Sequence, residues 1–77
     1  MSDIKMIWDF RGADAEGLAR HHTKHLEEYA ARENYDEGSS GCSAVQDKHW
    51  IAWLMVSEEN MLAVRDALRP HRAQRIG

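Results

Sequence analysis

The chain has 77 residues, 43% of them hydrophobic and 30% charged, with a formal net charge of −3. That length supports one domain, 1–77, and one small core, since a domain of this size buries only about 60% of its unfolded surface and is usually reinforced by a metal, a cross-link or a second subunit. Cys42 is the only cysteine, which excludes an internal disulfide; with no secretory pattern and no apolar run near the ~20 residues of a spanning helix, a cytoplasmic protein without a membrane partner is expected.

Ile4 to Phe10 alternates as a strand does, with Ile4, Met6, Trp8 and Phe10 on one face and Lys5, Ile7 and Asp9 on the other. Gly12 ends it. Asp14 is a candidate N-cap, because a short acceptor side chain can take the open N–H groups of a first helical turn. A helix is then predicted from Ala15 to about Glu33. Its apolar stripe is Ala15, Leu18, Ala19, His22, Leu26, Tyr29 and Ala30, and Glu16–Arg20 and Glu28–Arg32 are i,i+4 pairs in the favourable order. Asn34 tolerates the left-handed conformation that commonly ends a helix, and Asn34 to Gly41 reads as a polar loop.

A hairpin follows. Cys42–Gln46 and Trp50–Val56 are strand-like and flank Asp47-Lys48-His49, a turn with no glycine to supply positive φ. The second of these strands is apolar on both faces. Ser57 is the expected cap of a second helix, Glu58 to about Leu68, whose acidic first turn suits the helix dipole and whose core stripe is Met61, Val64 and Leu68. Pro70 stops it. His71 to Ile76 has room for one short polar strand.

The order β-α-β-β-α-β predicts an α+β fold of the ferredoxin-like, split βαβ type: a four-stranded antiparallel sheet with two helices on one face. In that arrangement the first and third strands are central. They are the apolar ones here, whereas the second and fourth carry Ser43, Gln46, Arg72, Gln74 and Arg75, as edges that resist stray pairing should. One consequence is an uncovered sheet face. Whichever of Ile51/Trp53/Met55 or Trp50/Ala52/Leu54/Val56 meets the helices, the other set faces outward, with Ile7 beside it if the Trp8 set points inward. A contiguous apolar surface of that kind marks an interface, so a homodimer through the sheet is expected; the Asn34–Gly41 loop or the C-terminal tail are the other ways to cover it.

Charge is uneven along the chain. The middle is acidic (Glu27, Glu28, Glu33, Asp36 and Glu37), and the end carries Arg65, Arg69, Arg72 and Arg75. A nucleic-acid binder usually shows a basic domain with a continuous stripe, so a nucleic-acid partner is not expected, and the arginines read as a solvated surface open to an anion or an acidic patch.

His22 falls in the middle of the first helix's apolar stripe, between Leu18 and Leu26. A titratable group aimed at a core has either a dedicated partner or a role. Candidate partners are His49, Asp47, Cys42, Asp9 and Tyr29. A core histidine bonded to a carbonyl or to the Tyr29 hydroxyl is the plain reading; a general acid/base or ligand contact in a pocket between helix and sheet is the functional one. Tyr29, His49 and Trp53 are the associated binding candidates. His21 and His25 are four apart, a helical spacing that can bring two imidazoles to a divalent transition metal, with Glu28 within reach; the H-E-x-x-H pattern is absent, since position 22 is His. Cys42 has no basic neighbour in sequence and reads as a small strand residue. The function expected is therefore a homo-oligomeric binding or regulatory domain for a small molecule or protein partner. Its alternatives are an enzyme using His22, a metal protein using His21 and His25, and a structural subunit docking through its sheet.

Overall fold

A computed structural model describes residues 3–35 and 40–76. The elements are β1 (Asp3–Arg11), α1 (Ala15–Arg32), β2 (Ser40–Gln46) and β3 (His49–Ser57), then a 3-10 turn (Glu58–Asn60), α2 (Met61–Leu68) and β4 (Arg72–Ile76). The four strands form one antiparallel sheet in the order β2-β3-β1-β4. The fold is α+β, with the two apolar strands in the middle and the two polar strands at the edges. No described helix is long and apolar enough to cross a membrane.

Alternation along the central strands decides which side is core. Ile4, Met6 and Trp8 of β1 and Ala52, Leu54 and Val56 of β3 point to the helices and pack with Leu26 and Ala30 of α1 and Val64 of α2. Both helices therefore cover the same face. Each fully buried aliphatic side chain here contributes about 1.5–3 kcal/mol by leaving water. Phe10, Tyr29, Tyr35, Met61 and Leu68 close the margins of this cluster.

The helices differ in how firmly they sit. The buried residues of α1 are Ala15, Ala19, Thr23, Leu26 and Ala30. Its inward face is turned away from the expected stripe: Leu18 is 50% exposed and Thr23 is buried. The reason is polar. Thr23 Oγ1 lies 2.8 Å from Ala19 O and 3.1 Å from Gly41 O, so its hydroxyl is satisfied against β2 and can be enclosed. By contrast, α2 is eight residues long and buries only Val64. The expected helix from Glu58 is split, with a 3-10 turn in its first three residues. Ser57 makes no capping bond; its hydroxyl accepts from Asn60 Nδ2 at 3.0 Å instead. Asp14 likewise makes no side-chain cap.

Turn positions follow the backbone demands. Gly12 (φ 113°) ends β1, and Asn34 (φ 59°) follows α1 in the left-handed region. In the hairpin the turn is two residues, Asp47-Lys48, and Lys48 itself takes φ 58° in place of a glycine. His49 therefore belongs to β3 and not to the turn. Arg69, at φ 49°, ends α2 before Pro70. The loop expected over Asn34–Gly41 lies in part outside the described residues; Ser40 and Gly41 already belong to β2.

The outward face carries Lys5, Ile7 and Asp9 of β1 and His49, Ile51, Trp53 and Met55 of β3. It is less apolar to solvent than its sequence suggests. Ile7 is 3% exposed and Ile51 8%, within a single chain. Arg72, opposite Ile7 in the ladder, reaches along it to Asp9. The Trp53 ring lies across Gly41 and under Lys5, whose Nζ is 5.0 Å from the ring centroid. Of the exposed large apolar side chains among the described residues, Ile76 lies on this face at its β4 edge, opposite Asp3, and Leu18 and Leu62 lie on the helices.

Candidate functional site

His22 projects from the flank of α1 onto β1. Its ring centroid is 4.9 Å from that of Trp8 and 5.6 Å from that of Phe10, each tilted by 58°. Alternation on β1 puts both aromatic rings on the helix side of the sheet, one above the other. Trp8 also donates its indole N–H to Leu68 O at 3.0 Å, which ties the C-terminal end of α2 to the same spot. His22 and Leu68 O thus both meet the Trp8 side chain, where α1, β1 and the end of α2 come together.

The ring is half-buried, but its Nε2 is fully enclosed and has no hydrogen-bond partner among the described residues. None of the partners expected from sequence reaches it. Tyr29 packs on Tyr35 (6.0 Å between centroids) and under Arg32. Asp9 and His49 lie on the opposite face of the sheet. An unpartnered buried nitrogen costs about 1–3 kcal/mol, because its water is lost and nothing replaces it. Burial lowers the His22 pKa from 6.5, and His25, His71 and His21 add to this by repelling its positive form. The imidazole is therefore neutral at pH 7, able to donate through one nitrogen and accept through the other. No carboxylate orients it, which leaves it without the second group that a general acid/base dyad requires.

The other binding candidates, His49 and Trp53, do not join His22. Both face outward, because a two-residue turn makes His49 a strand residue and alternation then sends positions 49, 51, 53 and 55 to one side. There, His49 Nε2 and Asp9 Oδ1 are 2.9 Å apart, and Asp9 takes a two-pronged grip from Arg72 at 3.0 and 3.1 Å. The Arg72 hydrogen bond, helped by that of His49 and opposed by burial, lowers the Asp9 pKa from 3.8 to about 2. His71 completes the arrangement: its backbone N–H donates to Ile7 O, and its Nδ1 accepts from the Asp9 N–H at 2.7 Å. An imidazole here stands in for the carbonyl that β4, starting one residue later, does not supply. Sequence reading missed this cluster because its members lie 40 and 63 residues apart; the alternation of Asp9 and His49 onto one face was the available signal.

His21 and His25 are on the solvent side of α1. Their Nε2 atoms are 3.0 Å apart and their rings meet edge-on, with centroids 4.5 Å apart. Glu28 Oε1 lies 3.5 Å from the other nitrogen of His25, Nδ1. Cys42 is a half-buried strand residue with a free thiol. The C-terminal arginines are partly engaged within the chain, Arg72 with Asp9 and Arg75 with Glu58 at 2.6 Å.

The site is thus built from local geometry: an inward imidazole over two aromatic rings, the first of which is tied to the end of α2. Comparison with protein-family models, with curated proteins and with solved structures finds no match to this chain.

Proposed function

We propose that this chain is a small-ligand-binding module of ferredoxin-like architecture, and that the ligand binds at His22, in space opened beside the Trp8 and Phe10 rings. The strand order with both helices on one face supports the architectural reading. One observation carries the functional reading: His22 Nε2 is buried, neutral and unpartnered between two aromatic rings. A domain with so small a core gains nothing in stability from such a group, so its use lies in bonding something that is not part of the chain. The chemistry suits a small, flat, largely apolar molecule with a single hydroxyl, carbonyl or ring nitrogen. Access comes by displacement of α2, an eight-residue helix held by buried Val64, by Met61 and Leu68 at the margin of the core, and by one hydrogen bond from Trp8; elements with few buried contacts open most readily.

The same reading takes the working form as a cytoplasmic homodimer that buries the outward sheet face. Trp53 and Met55 remain part-exposed on the central strand, and Ile7 and Ile51 lie beneath them. Light scattering at micromolar concentration tests this; a monomer there removes the dimer and leaves the ligand site standing.

Calorimetric titration with phenol and with toluene tests the site. Phenol, with its hydroxyl, is expected to bind saturably and more tightly than toluene, and the difference is expected to vanish in His22→Leu. Equal binding of both, or a preference for phenol that survives in His22→Leu, defeats the proposal.

A further inference from the structure

We propose that His21 and His25 form a two-point site for a divalent transition metal on the solvent face of α1, with Ni(II) and Cu(II) preferred to Zn(II) and with water completing the coordination. This site is separate from the His22 site and does not depend on it.

Three features carry the inference. The first is proximity: the two Nε2 atoms are 3.0 Å apart and face one another, although the residues are exposed and free to adopt other rotamers. The second is the pair's bite. With metal–nitrogen bonds of about 2.0–2.1 Å, two ligands at right angles are about 2.9 Å apart, and two at a tetrahedral angle about 3.3–3.4 Å. The observed 3.0 Å is the hydrogen-bond contact of the metal-free pair and already lies in that range, so one ion can take both nitrogens; divalent affinity for nitrogen ligands rises through Ni(II) to Cu(II) and falls at Zn(II). The third is Glu28. A ligating imidazole commonly gives its other N–H to a carboxylate, which fixes the tautomer and raises the basicity of the ligating nitrogen. Glu28 Oε1 stands 3.5 Å from His25 Nδ1, on the side away from the paired nitrogens, and a small rotation brings it into that bond. It therefore orients a ligand and is not itself one, in contrast to the role its sequence spacing suggested.

The proton accounting is simple. With Nδ1–H directed at Glu28, His25 presents a lone pair at Nε2, and in the metal-free chain His21 bridges to it through its own Nε2–H. On binding, His21 moves that proton to Nδ1, which frees the second lone pair. No net proton is released while both rings are neutral. Among the described residues no third histidine, cysteine or carboxylate joins the pair, so the remaining positions are left to solvent and the ion can exchange.

Titration of the full chain with Ni(II), Cu(II) and Zn(II) salts tests this. One Ni(II) per chain is expected, accompanied by a rise in Tm. Both effects should be lost in His21→Ala and in His25→Ala, exposed helical changes that leave the fold intact by circular dichroism. Glu28→Gln is expected to weaken Ni(II) binding by about 10-fold. Nitrogen hyperfine structure on bound Cu(II) should report two equivalent imidazoles. Ni(II) affinity unchanged by His21→Ala would overturn the site, and Zn(II) bound as tightly as Ni(II) would overturn the metal preference.

Discussion

Replacing His22 by leucine separates packing from purpose. The substitution removes an enclosed nitrogen that bonds to nothing, a gain of about 1–3 kcal/mol. It forfeits the ring contacts with Trp8 and Phe10, worth about 0.5–1.5 kcal/mol. Leucine is also the better helix former by a few tenths of a kcal/mol. The net expectation is a variant more stable by about 1 kcal/mol, which for a domain of this size raises Tm by about 5 °C. The pH dependence sharpens the test. The His22 pKa is lowered in the folded chain, so above the unfolded value near 6.5 both states are neutral and the ring adds no proton-linked term. As pH falls through 6.5 the unfolded chain takes up a proton that the folded chain refuses, and wild-type stability drops. The leucine variant lacks this loss. Thermal unfolding of both proteins at pH 7.5 and pH 5.0 should show a gap that widens at the lower pH. A variant destabilised by more than about 1 kcal/mol at pH 7.5, well outside the balance of these contributions, or a gap that stays constant with pH, would refute the reasoning.

Three further outcomes are expected. Asp9→Asn removes the charge that gathers Arg72 and His49, and should lower stability by about 1 kcal/mol, a charge-assisted bond discounted for solvent at the exposed guanidinium; because the folded pKa of Asp9 is depressed, its wild-type contribution is present above pH 3.8 and is lost as pH falls through about 2, while the asparagine variant should show no such acid limb in its denaturation midpoints. Gly41→Ala would place a Cβ 2.8 Å from Trp53 Cζ2, and the overpacking should cost about 1–3 kcal/mol and shift tryptophan emission as the ring lifts from β2; unchanged emission and stability would mean that the ring does not rest there. Arg69→Gly relieves a left-handed residue at the end of α2 and should raise the urea midpoint, equivalent to about 0.5–1 kcal/mol.

Much of the architecture was legible because alternation and turn chemistry are local signals. The two-sided apolarity of Trp50–Val56 marked a central strand, Gly12 and Asn34 sat where the backbone needs positive φ, and the polar character of Ser43, Gln46 and Arg72 marked edges. The inward aim of His22 was legible for the same reason. What misled was contact between distant residues. Thr23 was no part of the expected stripe; its bond to Gly41 O of β2 satisfies the hydroxyl and lets it be buried, while Leu18 lies in solvent. Reading the hairpin turn as three residues instead of two left the face of His49 undetermined, so it was grouped with His22 although the sheet separates them. The Asp9–His49–Arg72 cluster and the hold of Trp8 on Leu68 O exist only once the sheet is assembled, and no spacing in the chain announces them.

The side-chain nitrogen spectrum of His22, recorded by long-range proton–nitrogen correlation with and without phenol, tests the central claim most directly. The account predicts a His22 ring that takes up its proton only below the ordinary imidazole value of 6.5, with phenol moving its Nε2 resonance together with the Trp8 indole signal and leaving the outward-facing Trp53 indole unmoved. A His22 that titrates at or above 6.5, or a phenol response confined to Trp53, would contradict it.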